Sequence, residues 1–173
     1  MSRHLCEMDV GKSVDFKHIS FNVKIQAPFT QKKIAMIVGG TGITPMVQAL
    51  HAILGGDDAK DTKVSMLYGS KVSSDILGQE ILENWAEKYS DCFSLTHVLS
   101  DEPKDSSWTG EKGFINKDLI AKHFPSPSEG SDVIIFVCGP PPMYKALCGA
   151  RDEKELTGVL AELGYDASQV FKF

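Results

Sequence analysis

None of the five histidines in this 173-residue chain has a second His or Cys three or four residues away, and none of its four cysteines pairs as C-x-x-C. Those absences exclude the usual zinc and redox-disulfide frames. No metal site is expected, and Cys6, Cys92, Cys138 and Cys148 read as free thiols of a reducing compartment. Arginine is nearly missing, with only Arg3 and Arg151. No Lys/Arg cluster marks a nucleic-acid surface, and the net charge is −5. No apolar run reaches membrane-spanning length, the residues after Met1 do not read as a signal peptide, and there are no internal repeats. The glycine turns fit neither G-x-G-x-x-G nor a P-loop, which needs a Lys-Ser or Lys-Thr pair. What is present is ordinary for a globular chain: 42% apolar and 24% charged residues, enough for one domain with a real core.

The chain is organised around Ile34 to Leu54. Ile34 to Val38 is a short apolar run, the mark of a buried parallel strand. Gly39-Gly40-Thr41-Gly42-Ile43-Thr44 follows as a glycine-rich turn with two hydroxyls. Pro45 then opens a helix with apolar residues at Met46, Val47, Leu50, Ile53 and Leu54. Strand, glycine turn and helix N-terminus in succession make an anion site, because free N–H groups and the helix dipole point at one place. The spacing, G-x-G-x-x-P, also permits a plain βα turn.

A second unit has the same plan. Asp132 to Val137 reads as a buried strand ending in Cys138-Gly139-Pro140-Pro141-Pro142-Met143, with a helix from about Pro142 to Cys148. In open α/β sheets ligands bind outside the carboxyl ends of the strands. Between the two units, strands are expected at Val64–Tyr68 and Phe93–Leu99. A helix is expected after a Ser73-Ser74-Asp75 cap, carrying Ile76, Leu77, Ile81, Leu82, Trp85 and Tyr89 on its apolar face. Ser100 to Lys112 is a polar loop, and helices follow at Asn116–Phe124 and Glu153–Leu163, with a last strand at Val170–Phe173. This alternation predicts an α/β fold, a doubly wound parallel sheet, over residues 34–173. Before it, Leu5, Met8 and Val10 suggest a short helix closed at Gly11. Ser13 to Ile25 is strand-like, and residues 28–33 form a connector.

GGTGITPM followed by CGPPPM resembles the nicotinamide domain of the NADH-cytochrome b5 reductases, nearest to the plant and algal type, in the wider ferredoxin-NADP reductase family. The likeness runs over nearly the whole chain. It includes Trp108-Thr109-Gly110, Gly113-Phe114-Ile115, FKHISFNVKI, LTGVLAELGY and the aromatic Phe173. It implies an oxidoreductase that passes a hydride from NADH to FAD, then electrons to cytochrome b5 or a similar small haem protein. Hydride transfer needs no acid or base at the reacting carbon, only cofactors held in register. The resemblance places Gly39, Gly40, Thr41, Gly42, Thr44 and Pro45 around the rings and pyrophosphate, with Gly139, Pro140, Met143 and Phe173 beside them, and Phe114 by the adenosine. Thr44 and Cys138 are the catalytic candidates. For Cys138 three readings stand: it orients the nicotinamide, it is a buried structural thiol, or it is a nucleophile at a helix N-terminus, which would need a nearby base.

Residues 1–27 resemble the end of a flavin-binding barrel. Met1 and Ser2 match part of the family's K-M-S-x-x-L motif for the FAD pyrophosphate, although Ser2 also reads as an ordinary N-cap. The family's R-x-Y-[ST] motif is missing, so this chain by itself is expected not to retain FAD. The alternative is a truncated pyridine-nucleotide-binding module without turnover. A monomer is expected, with any membrane attachment through a segment outside these residues, at the mitochondrial outer membrane or endoplasmic reticulum. The acidic net charge leaves only local basic spots such as Lys32-Lys33 for docking an acidic partner. At the adenosine 2′ position many relatives have T-L-D. Here Val98-Leu99-Ser100-Asp101 puts Ser100 at the matching place and the carboxylate one residue later. With Lys104 flanked by Asp101, Glu102 and Asp105, the loop is expected to favour NADH over NADPH.

Overall fold

The computed structural model describes residues 2–15, 17, 25, 27–56 and 61–173. Its centre is β1 (Lys33–Gly39), whose residues are buried from Ile34 onward. β1 pairs in parallel with β2 (Lys63–Ser70) on one side and β5 (Val133–Cys138) on the other. β3 (Phe93–Leu99) and β4 (Glu111–Lys112) extend the β2 side, and β6 (Val170–Lys172) extends the β5 side. The order is therefore β4-β3-β2-β1-β5-β6, all parallel.

Side chains alternate across a strand, so β1 serves two cores. Ile34, Met36 and Val38 face one cluster with Met46 and Leu50 of α2 (Ile43–Leu54) and Leu82 of α3 (Gln79–Lys88). Ala35 and Ile37 face the other, with Ile120 of α4 (Lys117–His123), Leu147 of α5 (Pro141–Leu147) and Leu160 of α6 (Gly158–Glu162). The chain winds outward from β1 through β2 and β3, then returns to the far side of β1 as β5. That reversal puts a topological switch point between β1 and β5, where open sheets of this kind hold ligands.

Several expectations need correction. α2 begins at Ile43, so Pro45 is its third residue, where the first-turn N–H it lacks has no intrahelical acceptor anyway. Ser73–Asp75 is a 3₁₀ turn; α3 starts only at Gln79, after Gly78 at φ 67°. Ile81 and Leu77, expected on the apolar face, are 54% and 46% exposed. The helix expected over Glu153–Leu163 is confined to Gly158–Glu162. Residues 150–155 are held otherwise, by the Lys172 ammonium donating to the carbonyls of Ala150 (3.0 Å), Glu153 (3.0 Å) and Glu155 (3.3 Å). The polar loop contains the short strand β4, which local pattern gave no sign of. At the N-terminus, α1 (Ser2–Cys6) stops before Met8 and Val10, and Leu5 and Val10 are exposed. The strand expected over Ser13 to Ile25 falls mostly outside the described residues. Among the described residues no helix is long and apolar enough to cross a membrane.

The side chain of His97 on β3 is 8% exposed, on the α2–α3 side of the sheet beside Tyr68. Its ring lies 5.7 Å from that of Tyr68 and 6.2 Å from that of Trp108, with the Glu83 carboxylate 3.7 Å away. Burial pushes its pKa down, against a smaller upward pull from Glu83. The folded chain therefore holds His97 neutral where the unfolded chain begins to protonate it. Stability from this residue is complete above the ordinary histidine value of about 6.5 and falls as pH drops through it. Urea denaturation at pH 7.5 and pH 5.5 should show a smaller acid loss in His97→Leu than in the parent; equal losses would contradict this.

Candidate functional site

Two turns meet at the switch point. The first, Gly40–Gly42, is a 3₁₀ turn between β1 and α2; the second, Cys138 to Pro140, links β5 to α5. Their glycines hold the turns together. A Cβ on Gly42 would overlap the Cys138 carbonyl, one on Gly39 would sit 2.7 Å from Pro140 Cδ, and one on Gly139 would sit 3.2 Å from Gly39 Cα. Gly40 differs. Its φ is +53°, and a Cβ there would meet nothing within 4 Å. All four glycines line the cleft described below, but only at Gly40 would an added Cβ enter open space rather than the facing turn. Tyr68 fixes this turn from below: its hydroxyl donates to the Gly40 carbonyl and accepts from Leu77 N–H, both at 3.2 Å. No sequence motif pointed to Tyr68.

Above the turns lies a cleft of about 710 Å³, inside the range usual for small-molecule sites. One wall is Gly39 to Gly42, and the facing wall is Cys138, Gly139, Pro140 and Met143. The far end, beyond β2 and β3, is closed by Lys71, Ser100, Asp101 and Phe114. Phe114 is 77% exposed, a large apolar ring left mostly open to solvent. Ser100 Oγ donates to Asp101 Oδ2 at 2.9 Å. Glu102, in contrast, is engaged: Ser73 donates to it through its N–H at 2.7 Å and its hydroxyl at 3.0 Å, and the backbone N–H is the main reason its carboxyl lies below the usual range. Lys71 was missed by the sequence reading, although it directly follows β2 at the edge where strand ends carry function.

The remaining sequence candidates lie outside the lining. Thr44 is exposed, and its hydroxyl donates to the Thr41 carbonyl at 3.2 Å. Pro45 is within the first turn of α2. Phe173 packs on Phe171 and Phe136, with ring centroids 4.9 and 5.6 Å apart, and its N–H donates to the Val137 carbonyl at 3.0 Å. Ser2 is the first residue of α1, and Met1 lies outside the described residues. Lys32 and Lys33 stand at the opposite end of β1 from the cleft and are paired with Asp132 (3.4 Å) and Glu129 (2.5 Å). They offer no basic patch beside the site.

Cys138 ends β5 half-buried on the cleft wall. Burial pushes its thiol up, outweighing the lowering by the Tyr144 hydroxyl beside it. His97 shares its row across the sheet, through the register Cys138–Val38–Tyr68–His97. Three strand spacings separate the two, about 14 Å. A thiol held protonated, with no histidine among the described residues hydrogen-bonded to it, does not fit a nucleophile. At pH 7 a maleimide should label exposed Cys6 first and Cys138 slowly, with Cys92 and Cys148 protected by burial. Peptide mapping checks this; Cys138 reacting as fast as Cys6 would restore the nucleophile reading.

Tyr144 braces this wall. Its hydroxyl lies 2.7 Å from the Phe173 carbonyl and 3.1 Å from that of Val137, and burial above all pushes its pKa up to about 12. Tyr144→Phe leaves these carbonyls without that donor. It should cost about 1–2 kcal/mol in urea denaturation; an unchanged midpoint would count against the brace.

The family model for the oxidoreductase NAD-binding domain matches residues 36–149. The chain belongs to that family. This NAD-binding domain is 42% identical over 177 residues to NADH-cytochrome b5 reductase 2 of Scheffersomyces stipitis, and 41% identical to that of Saccharomyces cerevisiae. Each alignment takes in all of this chain and 57% of the relative. Among solved structures, the cytochrome b5 reductase domain of Ulva prolifera nitrate reductase superposes with a TM-score of 0.70 at 29% identity, over 83% of this chain and 50% of that one. The NAD-binding domain thus spans a little over half the length of these curated relatives, and the matched residues 36–149 contain both turns and the far end of the cleft.

Proposed function

We propose that this domain holds NADH in the β1/β5 cleft as the nucleotide-binding part of a flavoprotein reductase whose electrons pass to cytochrome b5 or a similar small haem protein. The observation that carries the reading is the meeting of the two turns at the switch point, with an open Gly40 backbone on one wall and Cys138 on the other. The lining fits a dinucleotide. It supplies a close backbone approach at Gly40, an apolar wall at Pro140 and Met143, and Phe114 with Ser100 and Asp101 for an adenosine and its diol. Bound NADH supplies a hydride to an adjoining flavin. The chain's own residues bind and orient: Gly40 and Thr41 approach the ligand, Tyr68 and Tyr144 keep the two turns from shifting, and the Cys138 thiol packs as a neutral group.

The test is a chimaera that joins this domain to the flavin-binding part of the Scheffersomyces stipitis reductase. Anaerobic NADH should bleach its flavin band within seconds, and Cys138→Ser should slow the bleaching without abolishing it. A band that stays unbleached in a folded, flavin-loaded chimaera would contradict the reading.

A further inference from the structure

The cleft holds one cation as well as one anion. Among the described residues, Lys71 and Asp101 are its only charged lining residues. They leave neighbouring strand ends side by side, since the Asp101 N–H donates to the Lys71 carbonyl at 2.8 Å. Both side chains are exposed. Among the described residues neither is in an ion pair, with each other or with a third group. Asp101 accepts only the Ser100 hydroxyl. The neighbouring charges do not enter: Glu102 is tied to Ser73, Lys112 donates to the Pro103 carbonyl at 3.4 Å, and Lys104 lies off the lining.

We propose that Lys71 is a specificity-determining residue of the adenosine end: its ammonium engages a phosphate at the ribose 2′ position and offsets the repulsion from Asp101. This rests on the reading that the cleft binds a pyridine nucleotide. A carboxylate beside the 2′ position favours a hydroxyl and repels a phosphate. A cation one strand away, on a flexible four-carbon stem, acts on the same group with the opposite sign and similar strength. With both present, a 2′-phosphorylated nucleotide is accepted only a few-fold less well than its unphosphorylated counterpart. The unpaired state of both side chains leaves each available to the ligand rather than to the other.

The test is isothermal titration of the 173-residue chain with 5′-AMP and with adenosine 2′,5′-bisphosphate, for the parent, Lys71→Gln and Asp101→Asn. The parent should bind the bisphosphate within about tenfold of 5′-AMP. Lys71→Gln should weaken the bisphosphate by roughly tenfold and leave 5′-AMP within about twofold, an effect that shrinks at high salt. Asp101→Asn should make the bisphosphate the tighter ligand. An equal loss for both ligands in Lys71→Gln would mean that Lys71 serves the phosphate they share, and would overturn the proposal. An unchanged ratio would overturn it too, while leaving the nucleotide reading intact. If the parent binds neither ligand, it is the nucleotide reading that fails.

Discussion

Gly42→Ala should both destabilise the chain and abolish tight NADH binding. The added methyl has nowhere to go, because it overlaps the backbone carbonyl of Cys138 and would stand 3.0 Å from the Gly139 nitrogen. Neither atom is the movable end of a flexible side chain, so the two turns must part. Overpacking of this kind costs about 1–3 kcal/mol or more, and the displaced turns are the walls of the cleft. Gly40→Ala is the matched comparison. It meets open space, so it carries only the conformational cost of φ +53°, about 1–2 kcal/mol. It should narrow the binding surface without separating the turns. Urea denaturation and NADH titration of both variants check the contrast. A Gly42→Ala chain as stable as the parent, with parental affinity, would show that the turns are not held as described.

The second large effect is expected at Asp101. Among the described residues it is the only carboxylate in the cleft lining, and it should favour a ribose hydroxyl over a phosphate carrying nearly two negative charges. Asp101→Arg replaces repulsion with attraction beside Lys71. The NADPH-to-NADH affinity ratio should rise by roughly ten- to a hundredfold at low salt, and by less at high salt. Titrations of the parent and the variant with both nucleotides measure it. A ratio that does not move would detach Asp101 from nucleotide choice and leave Ser100 to Asp105 a solvated loop. Glu102→Gln should behave differently. Its carboxylate holds Ser73 rather than the cleft, so it should leave the ratio near parental.

The sheet and both turns were legible because their signals are local. β1 and β5 are unbroken apolar runs, and each stops at glycine. α3 was harder to read, because the groups that fix its approach come from other elements of the fold. Glu102 accepts the Ser73 N–H, and the Tyr68 hydroxyl accepts the Leu77 N–H. A Ser-Ser-Asp string looks like a cap until those partners are known. The region around 150–155 failed for the same reason: its carbonyls are collected by Lys172 from the last strand. The glycine positions were legible, but most of their purpose was not. A glycine whose missing Cβ leaves open space and one whose missing Cβ admits a neighbouring turn look alike in sequence, and only packing separates Gly40 from Gly39, Gly42 and Gly139. Asp101 could be placed at the cleft from its position after β3. Lys71 could have been placed the same way after β2, since both follow strands whose carboxyl ends open on one edge.

Residue-resolved NMR shows whether NADH binds between the two turns. In a titration of the 173-residue chain with NADH, the amides of Gly40, Thr41, Cys138 and Gly139 should shift together with Phe114 and Asp101 at the far end. A single saturation curve should describe all of them. Shifts confined to another surface, such as the depression around Arg151 to Lys154, or no saturable shifts at millimolar NADH, would contradict the account.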